Sequence, residues 1–102
     1  MNINNKQGEQ TRLSILEMGL KLWRADQPIT ARRIASELGL THGTVSYHFS
    51  RGDLSLRDAI AYHAVEQGEA RVIAALIIEK HKTVAHFDDA QRLKWLNMAA
   101  VG

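Results

Sequence analysis

The amino-acid sequence predicts an all-α protein of about five helices, with a three-helix bundle in the first half and two further helices in the second. Apolar residues recur at spacings of three and four, which is the period of an amphipathic α-helix. No segment of useful length alternates apolar with polar residues, as a half-buried β-strand would. A chain of 102 residues is long enough to form one hydrophobic core.

The first predicted helix covers about residues 9–25 and follows a polar segment, residues 1–8, that we expect to be a flexible arm. Pro28 prevents the helix from continuing, because proline lacks the N–H donor and the residue before it disfavours the helical conformation. The small and apolar residues of this helix lie on one broad face and are Leu13, Ile15, Leu16, Gly19, Leu20, Leu22 and Trp23.

Two short helices follow. Thr30 is a favourable N-cap for the second helix, and Gly39 stands where a helix-ending glycine belongs. Thr41 can cap the third helix, whose inward-facing residues are then Val45 and Phe49.

The remainder, residues 58–102, is predicted to be a C-terminal helical segment. Ser55 and Asp58 have the spacing of a capping box, which predicts a long helix from there to about residue 82. A last helix is predicted over about residues 88–100.

Three residues around the second and third helices meet the packing requirements of a helix-turn-helix. Ala35 is small where the helices cross, Gly39 tolerates the positive φ of the turn, and Val45 anchors the third helix of the chain on the second. In this motif the later of the two helices, here the third, can lie in the major groove of double-stranded DNA. We therefore predict that residues 9–57 are a DNA-binding domain.

The outward face of the third helix is polar and carries no Arg, Asn or Gln for bidentate readout of a base. Its imidazole, hydroxyl and phenol groups can contact base edges, and its glycine lets the backbone approach the sugar-phosphate chain. For His48, phosphate contact and internal packing are both open. The predicted base contacts are His42, Gly43, Ser46 and Tyr47.

The charge distribution is compatible with a polyanionic partner. Up to residue 57 there are eight Lys or Arg against five Asp or Glu, and beyond it there are five against six. Arg32 and Arg33 fall in the first turn of the second helix, where a cation is unfavourable to the helix dipole. A DNA phosphate would meet the guanidinium, the dipole and unpaired N–H groups together. The alternative is that both arginines point into water.

Two stretches are distinctive: ILEMGLKLW at residues 15–23 and RRIASELGLTHGTVSYHF at residues 32–49. The specific part is GLTHGTV with the closing HF. With the residues around them they resemble the DNA-binding domain of TetR-type transcriptional regulators. The resemblance implies that the first three helices bind DNA and that Thr44, Tyr47 and His48 lie near phosphates or bases. It also implies that the protein binds a palindrome as a dimer.

Within about residues 11–60, where the resemblance applies, the sequence also departs from the family pattern. Ser46 stands where an aromatic residue is usual, and Gly52 stands where a lysine is usual, with Arg51 beside it as a substitute. Family members usually carry a C-terminal ligand-binding and dimerisation domain that is much longer than residues 58–102 of this sequence, so we expect no small-molecule effector.

The predicted phosphate contacts are Thr30, Arg32, Arg33, Thr41, Thr44, His48 and Arg51.

The C-terminal segment is predicted to carry a partner surface. The apolar run at residues 72–78 covers every side of its helix, and the last helix has an apolar stripe of its own. A symmetric dimer would bury both. The alternative is a compact monomer whose last helix folds back over the run. The residues predicted at the interface are Val72, Ile73, Leu76, Ile77, Leu93, Trp95 and Leu96.

Catalytic and metal sites are not predicted, and we expect neither an enzyme nor a cofactor. His63, Glu66 and Glu69 are separated by threes, so their side chains drift around the helix and form a solvated face. The chain has no cysteine, which excludes disulfides, thiolate metal ligands and a cysteine nucleophile.

The longest apolar run is far shorter than the ~20 residues that span a bilayer, and residues 1–10 show no signal-peptide pattern. We expect no membrane partner and a soluble protein in the cytoplasm of a bacterium or a phage-infected host cell.

The sequence leaves two main functional hypotheses and a weaker third. The first is a dimeric transcriptional regulator, a repressor that binds a palindromic operator. The second is the DNA-recognition subunit of a phage or plasmid packaging, replication or partition complex, whose C-terminal helices bind a protein partner. The third is a protein-interaction adaptor that has kept the helix-turn-helix shape without binding DNA.

Overall fold

The computed structural model describes residues 3–49 and 52–101, and its regular structure is helical. The elements in chain order are α1 (Ile3–Arg24), α2 (Ala31–Leu38), α3 (His42–His48), α4 (Asp53–Gln67), α5 (Ala70–Ile78), a 3₁₀ turn (Lys82–Val84) and α6 (Asp89–Val101). Within the described residues there are six α-helices and no β-strand, which confirms the all-α class and corrects the expected number of five helices.

Helix α1 begins earlier than the sequence predicted. Its first residue is Ile3, so most of the segment assigned to a flexible arm belongs to the first turns of the helix. Polar residues without an apolar period still extend a helix once a neighbouring segment has nucleated it, because each added residue gains a hydrogen bond.

The long helix expected from residue 55 to residue 82 is two helices, because Gly68 ends the first of them. Gly68 has φ = 67°, and the N–H of Glu69 donates to the carbonyl of Ala64 at 3.0 Å. This left-handed residue with its backward hydrogen bond is a Schellman motif, which closes a helix. Helix α4 also begins at Asp53, before Ser55, so the Ser55–Asp58 pair does not mark its start.

Three other helices end in the same way. The left-handed residues are Asp26 after α1 (φ = 54°), Gly39 after α2 (φ = 67°) and Lys80 after α5 (φ = 59°). Aspartate tolerates this conformation better than most residues. Lys80 places its charge at the negative end of the α5 dipole, which partly offsets the backbone strain.

The chain divides into two compact units, Met1–Ile60 and Ala61–Gly102. In the first unit, α1 and α4 approach closely at Gly19, where an added Cβ would overlap the side chain of Ile60. The largest fully buried side chains of this unit are Ile15, Leu20, Ile34, Val45, Leu56 and Ile60.

In the second unit, α5 packs against α6. Helix α6 starts with a reciprocal capping box, in which the Asp88 carboxylate accepts from the Gln91 N–H at 2.8 Å and the Gln91 side chain accepts from the Asp88 N–H at 2.9 Å. None of the helices in the described part of the chain combines the length and apolar character needed to cross a membrane.

Candidate nucleic-acid interface

The turn between α2 and α3 is built by Gly39. The Leu40 N–H donates to the Ala35 carbonyl at 2.8 Å, and Gly39 adopts φ = 67° and ψ = 29°. Only glycine takes this conformation without a steric cost, so the positive φ predicted from the sequence is confirmed. The turn therefore redirects the chain within three residues of the end of α2, where Thr41 caps the next helix.

The inner face of α3 is held in the core. Val45 is fully buried, Phe49 is buried just after the helix, and Ala35 of α2 is buried as predicted. A seven-residue helix is too short to be stable in water by itself, so this packing determines the orientation of α3.

The outer face of α3 is exposed. Tyr47 is 84% exposed, an extreme value for a large aromatic side chain, and His42 and Gly43 are exposed beside it. Ser46 is half-buried, so it lies at the edge of this face rather than at its centre. We call these four residues the α3 outer face. The centres of the Tyr47 and His48 rings are 5.4 Å apart and the rings meet edge to face, a contact that orients the phenol.

The predicted hydroxyl contacts already serve as helix caps. Thr30 Oγ1 accepts from the Arg33 N–H at 3.1 Å, and Thr41 Oγ1 accepts from the Thr44 N–H at 3.1 Å. The Thr41 and Thr44 hydroxyls are also 2.9 Å apart and share a hydrogen bond. A hydroxyl can take part in more than one hydrogen bond, so a capping threonine can still contact a phosphate. The capping bond also holds the hydroxyl in a defined position.

At the start of α2, two N–H groups that the sequence analysis expected to be unpaired already have hydrogen-bond partners within the chain. The Asp53 carboxylate accepts from the Ala31 N–H at 2.9 Å, and Thr30 takes the Arg33 N–H. Asp53 therefore already supplies an anion at the positive end of this helix. In the sequence, Asp53 stands out only as an acidic residue directly after Gly52. Its partner, Ala31, lies 22 residues away along the chain, and only the fold brings the two together.

The two arginines of α2 have different environments. Arg33 Nε lies 3.0 Å from Glu37 Oε1, an i,i+4 ion pair that offsets its charge. Arg32 is exposed on the same turn. Arg32 is therefore better placed than Arg33 to contact a phosphate. Arg51 lies outside the described residues.

Sequence reasoning missed Arg12 of α1. Its Nη1 donates to the His48 carbonyl at 3.2 Å, and its guanidinium carbon lies 4.5 Å from the centre of the Phe49 ring. His48 itself is half-buried. No local pattern in the sequence connects residue 12 with residues 48 and 49.

The residues predicted at a partner surface separate into two groups. Val72, Ile73 and Leu76 are buried within the chain, so a partner cannot reach them without rearrangement. Ile77, Trp95 and Leu96 are half-buried, whereas Leu93 is 59% exposed. Sequence reasoning did not assign three further exposed apolar residues, Ile78, Met98 and Val101.

The described residues contain no group of three His, Asp or Glu side chains arranged to hold a metal ion. Comparison with protein-family models, with characterised proteins and with solved structures finds no match to this chain.

Proposed function

We propose that α2, the Gly39 turn and α3 form a helix-turn-helix and that the protein is a sequence-specific regulator that binds double-stranded DNA. The observation that carries the proposal is the division of α3 into two faces. Val45 is fully buried on one side, whereas Tyr47 is 84% exposed on the other. A large aromatic side chain held in water by a rigidly anchored helix costs hydrophobic free energy, which contact with a ligand recovers.

The chemistry of the α3 outer face fits the major groove. Imidazole, hydroxyl and phenol groups can exchange hydrogen bonds with base edges, and the helix carries no carboxylate that would repel phosphates. Exposed Arg32 on α2 supplies a charge suited to the phosphate backbone.

We further propose that the protein acts as a dimeric repressor on a palindromic operator. The exposed Leu93, Met98 and Val101 of α6 favour a protein contact through the second unit. The same exposed residues favour the second candidate, a DNA-recognition subunit of a packaging, replication or partition complex, because they suit a different protein partner equally well.

Selection of binding sites from random duplex DNA tests the proposal. A dimeric repressor should select an inverted repeat whose half-sites lie about one helical turn, ~34–36 Å, apart. A single asymmetric site bound by a larger assembly would instead identify the DNA-recognition subunit. Failure to bind any duplex at low salt would contradict both.

Replacing Gly43 with Ala should stabilise the fold but weaken DNA binding. Outside the surrounding helix backbone, the one described atom near a Cβ at this position is Thr41 Oγ1, at the ordinary contact distance of 3.8 Å, so the described part of the chain has room for the methyl group. Alanine in a helix is more stable than glycine by about 0.5–1 kcal/mol. If the backbone lies close to DNA, the added methyl group obstructs the complex. Thermal unfolding and duplex titration of the same sample measure both effects, and unchanged DNA affinity would show that Gly43 does not face DNA.

Replacing Arg32 with Ala should weaken binding to all duplexes and reduce the dependence of log K on log salt by about 0.9 for each phosphate that the arginine neutralises in the parent complex. Arg33→Ala should have a smaller effect, because Glu37 already offsets the Arg33 charge. The matched control is Arg71→Ala, which removes an exposed arginine from α5 of the second unit. An equal change of slope in the Arg71 variant would mean that only net charge matters.

A further inference from the structure

The C-terminal end of α3 needs support from outside the helix. The last carbonyls of an α-helix lack intrahelical donors and carry the negative end of its dipole. In α3 the Phe49 N–H donates to the carbonyls of Val45 and Ser46, both at 3.2 Å, so the His48 carbonyl lies beyond these bonds at the C-terminal end of the helix. Phe49, the C-cap residue, has φ = −137°, so it does not adopt the left-handed conformation that Gly39 adopts at the corresponding position of α2.

Arg12 supplies that support in two ways. Its Nη1 donates to the His48 carbonyl at 3.2 Å, where a cation also meets the negative end of the dipole. The guanidinium lies over the Phe49 ring, with its carbon 4.5 Å from the ring centre, and Phe49 is buried. One side chain of α1 therefore holds both the last carbonyl of α3 and the aromatic residue that follows it.

We propose that Arg12 is a positioning residue that fixes the orientation of α3 and thereby the direction in which Tyr47 is presented. This inference rests on the proposed function for its consequence in DNA recognition, whereas its structural part can be tested without DNA. Arginine is specifically suited to the position, because its planar group stacks on the ring while its edge donates to a carbonyl. Lysine carries the charge without that geometry.

Amide hydrogen exchange on the full chain tests the structural part. In the Arg12→Met variant we expect the amides of Val45 and Phe49 to exchange about tenfold faster, while those of α1 and α4 change little, because the substitution removes a charged hydrogen bond and a cation–π interaction together. Lys21→Met, which removes an exposed cation from the same helix, is the control. Equal exchange at Val45 and Phe49 in both variants would overturn the proposal, as would full protection of α3 in Arg12→Lys.

Titration with the selected duplex and with a random duplex tests the consequence for recognition. A positioning role predicts that Arg12→Met binds the selected duplex about tenfold more weakly, binds the random duplex as the parent does and keeps the parental salt slope. Equally weakened binding to both duplexes, with a slope reduced by about 0.9, would show that Arg12 is a phosphate ligand instead. If the parent binds no DNA, the proposed function fails, and hydrogen exchange alone still decides whether Arg12 positions α3.

Discussion

Tyr47→Ala is expected to weaken binding to the selected duplex by about 5- to 150-fold, equivalent to ~1–3 kcal/mol, and to relax specificity at one base position. The side chain is 84% exposed in the absence of DNA, so its removal takes little from the folded state. We expect the free energy of unfolding to change by less than about 0.5 kcal/mol. Duplex titration against a set of single-base variants measures both affinity and specificity.

Tyr62→Ala is the matched control for this experiment. Tyr62 is also exposed, at 55%, but belongs to the second unit. Its replacement removes the same chemical group and should leave DNA affinity unchanged. If Tyr47→Ala binds its selected site as tightly as the parent, α3 is not the recognition helix. Tyr47→Phe then separates the contributions of ring and hydroxyl, because it deletes only the group that can hydrogen-bond to a base.

Gly19→Ala is expected to lower the free energy of unfolding by up to about 2 kcal/mol, since over-packing costs about 1–3 kcal/mol and the better helix propensity of alanine recovers about 1. The added Cβ would overlap the Ile60 side chain and lie 2.6 Å from its Cγ1. Ile60 is fully buried and β-branched, so it cannot rotate away without displacing its neighbours. Thermal or urea unfolding of the full chain measures the decrease.

Gly8→Ala gives the opposite expectation in the same helix. Among the described residues, no atom outside the chain neighbours and the surrounding helix backbone lies within 4 Å of the position that a Cβ would occupy at Gly8, so the substitution should be neutral or stabilising by up to about 1 kcal/mol. The pair separates helix propensity from packing, because only Gly19 faces α4. A stabilising Gly19→Ala would mean that α1 and α4 do not approach as closely as the structure shows.

The features that local chemistry determines were predictable from the sequence. Thr30 and Thr41 cap their helices, and Gly39 takes the left-handed conformation, because each acts on backbone groups within a few residues. The burial of Val45 and the exposure of Tyr47 follow from their positions two residues apart on one helix, which places them on different faces.

The errors of sequence reasoning have separate physical causes. The start of α1 at Ile3 was missed because a helix can propagate through polar residues without an apolar period. The break at Gly68 was missed because the apolar pattern continues on both sides of it, although a glycine flanked by glutamine and glutamate is itself a stop signal. Apolar period alone therefore predicted one helix where the backbone forms two.

By itself the sequence determined the all-α class, the caps of α2 and α3, the glycine turn and the two faces of α3, because these depend on interactions over a few residues. Only the tertiary structure decided that Asp53 closes the start of α2 and that Arg12 holds the end of α3, across 22 and 36 residues of chain. It also decided that Val72, Ile73 and Leu76 are buried within the chain while Leu93 is exposed. The physical reason is that long-range hydrogen bonds and burial depend on which helices meet, and no local period in the sequence encodes that choice.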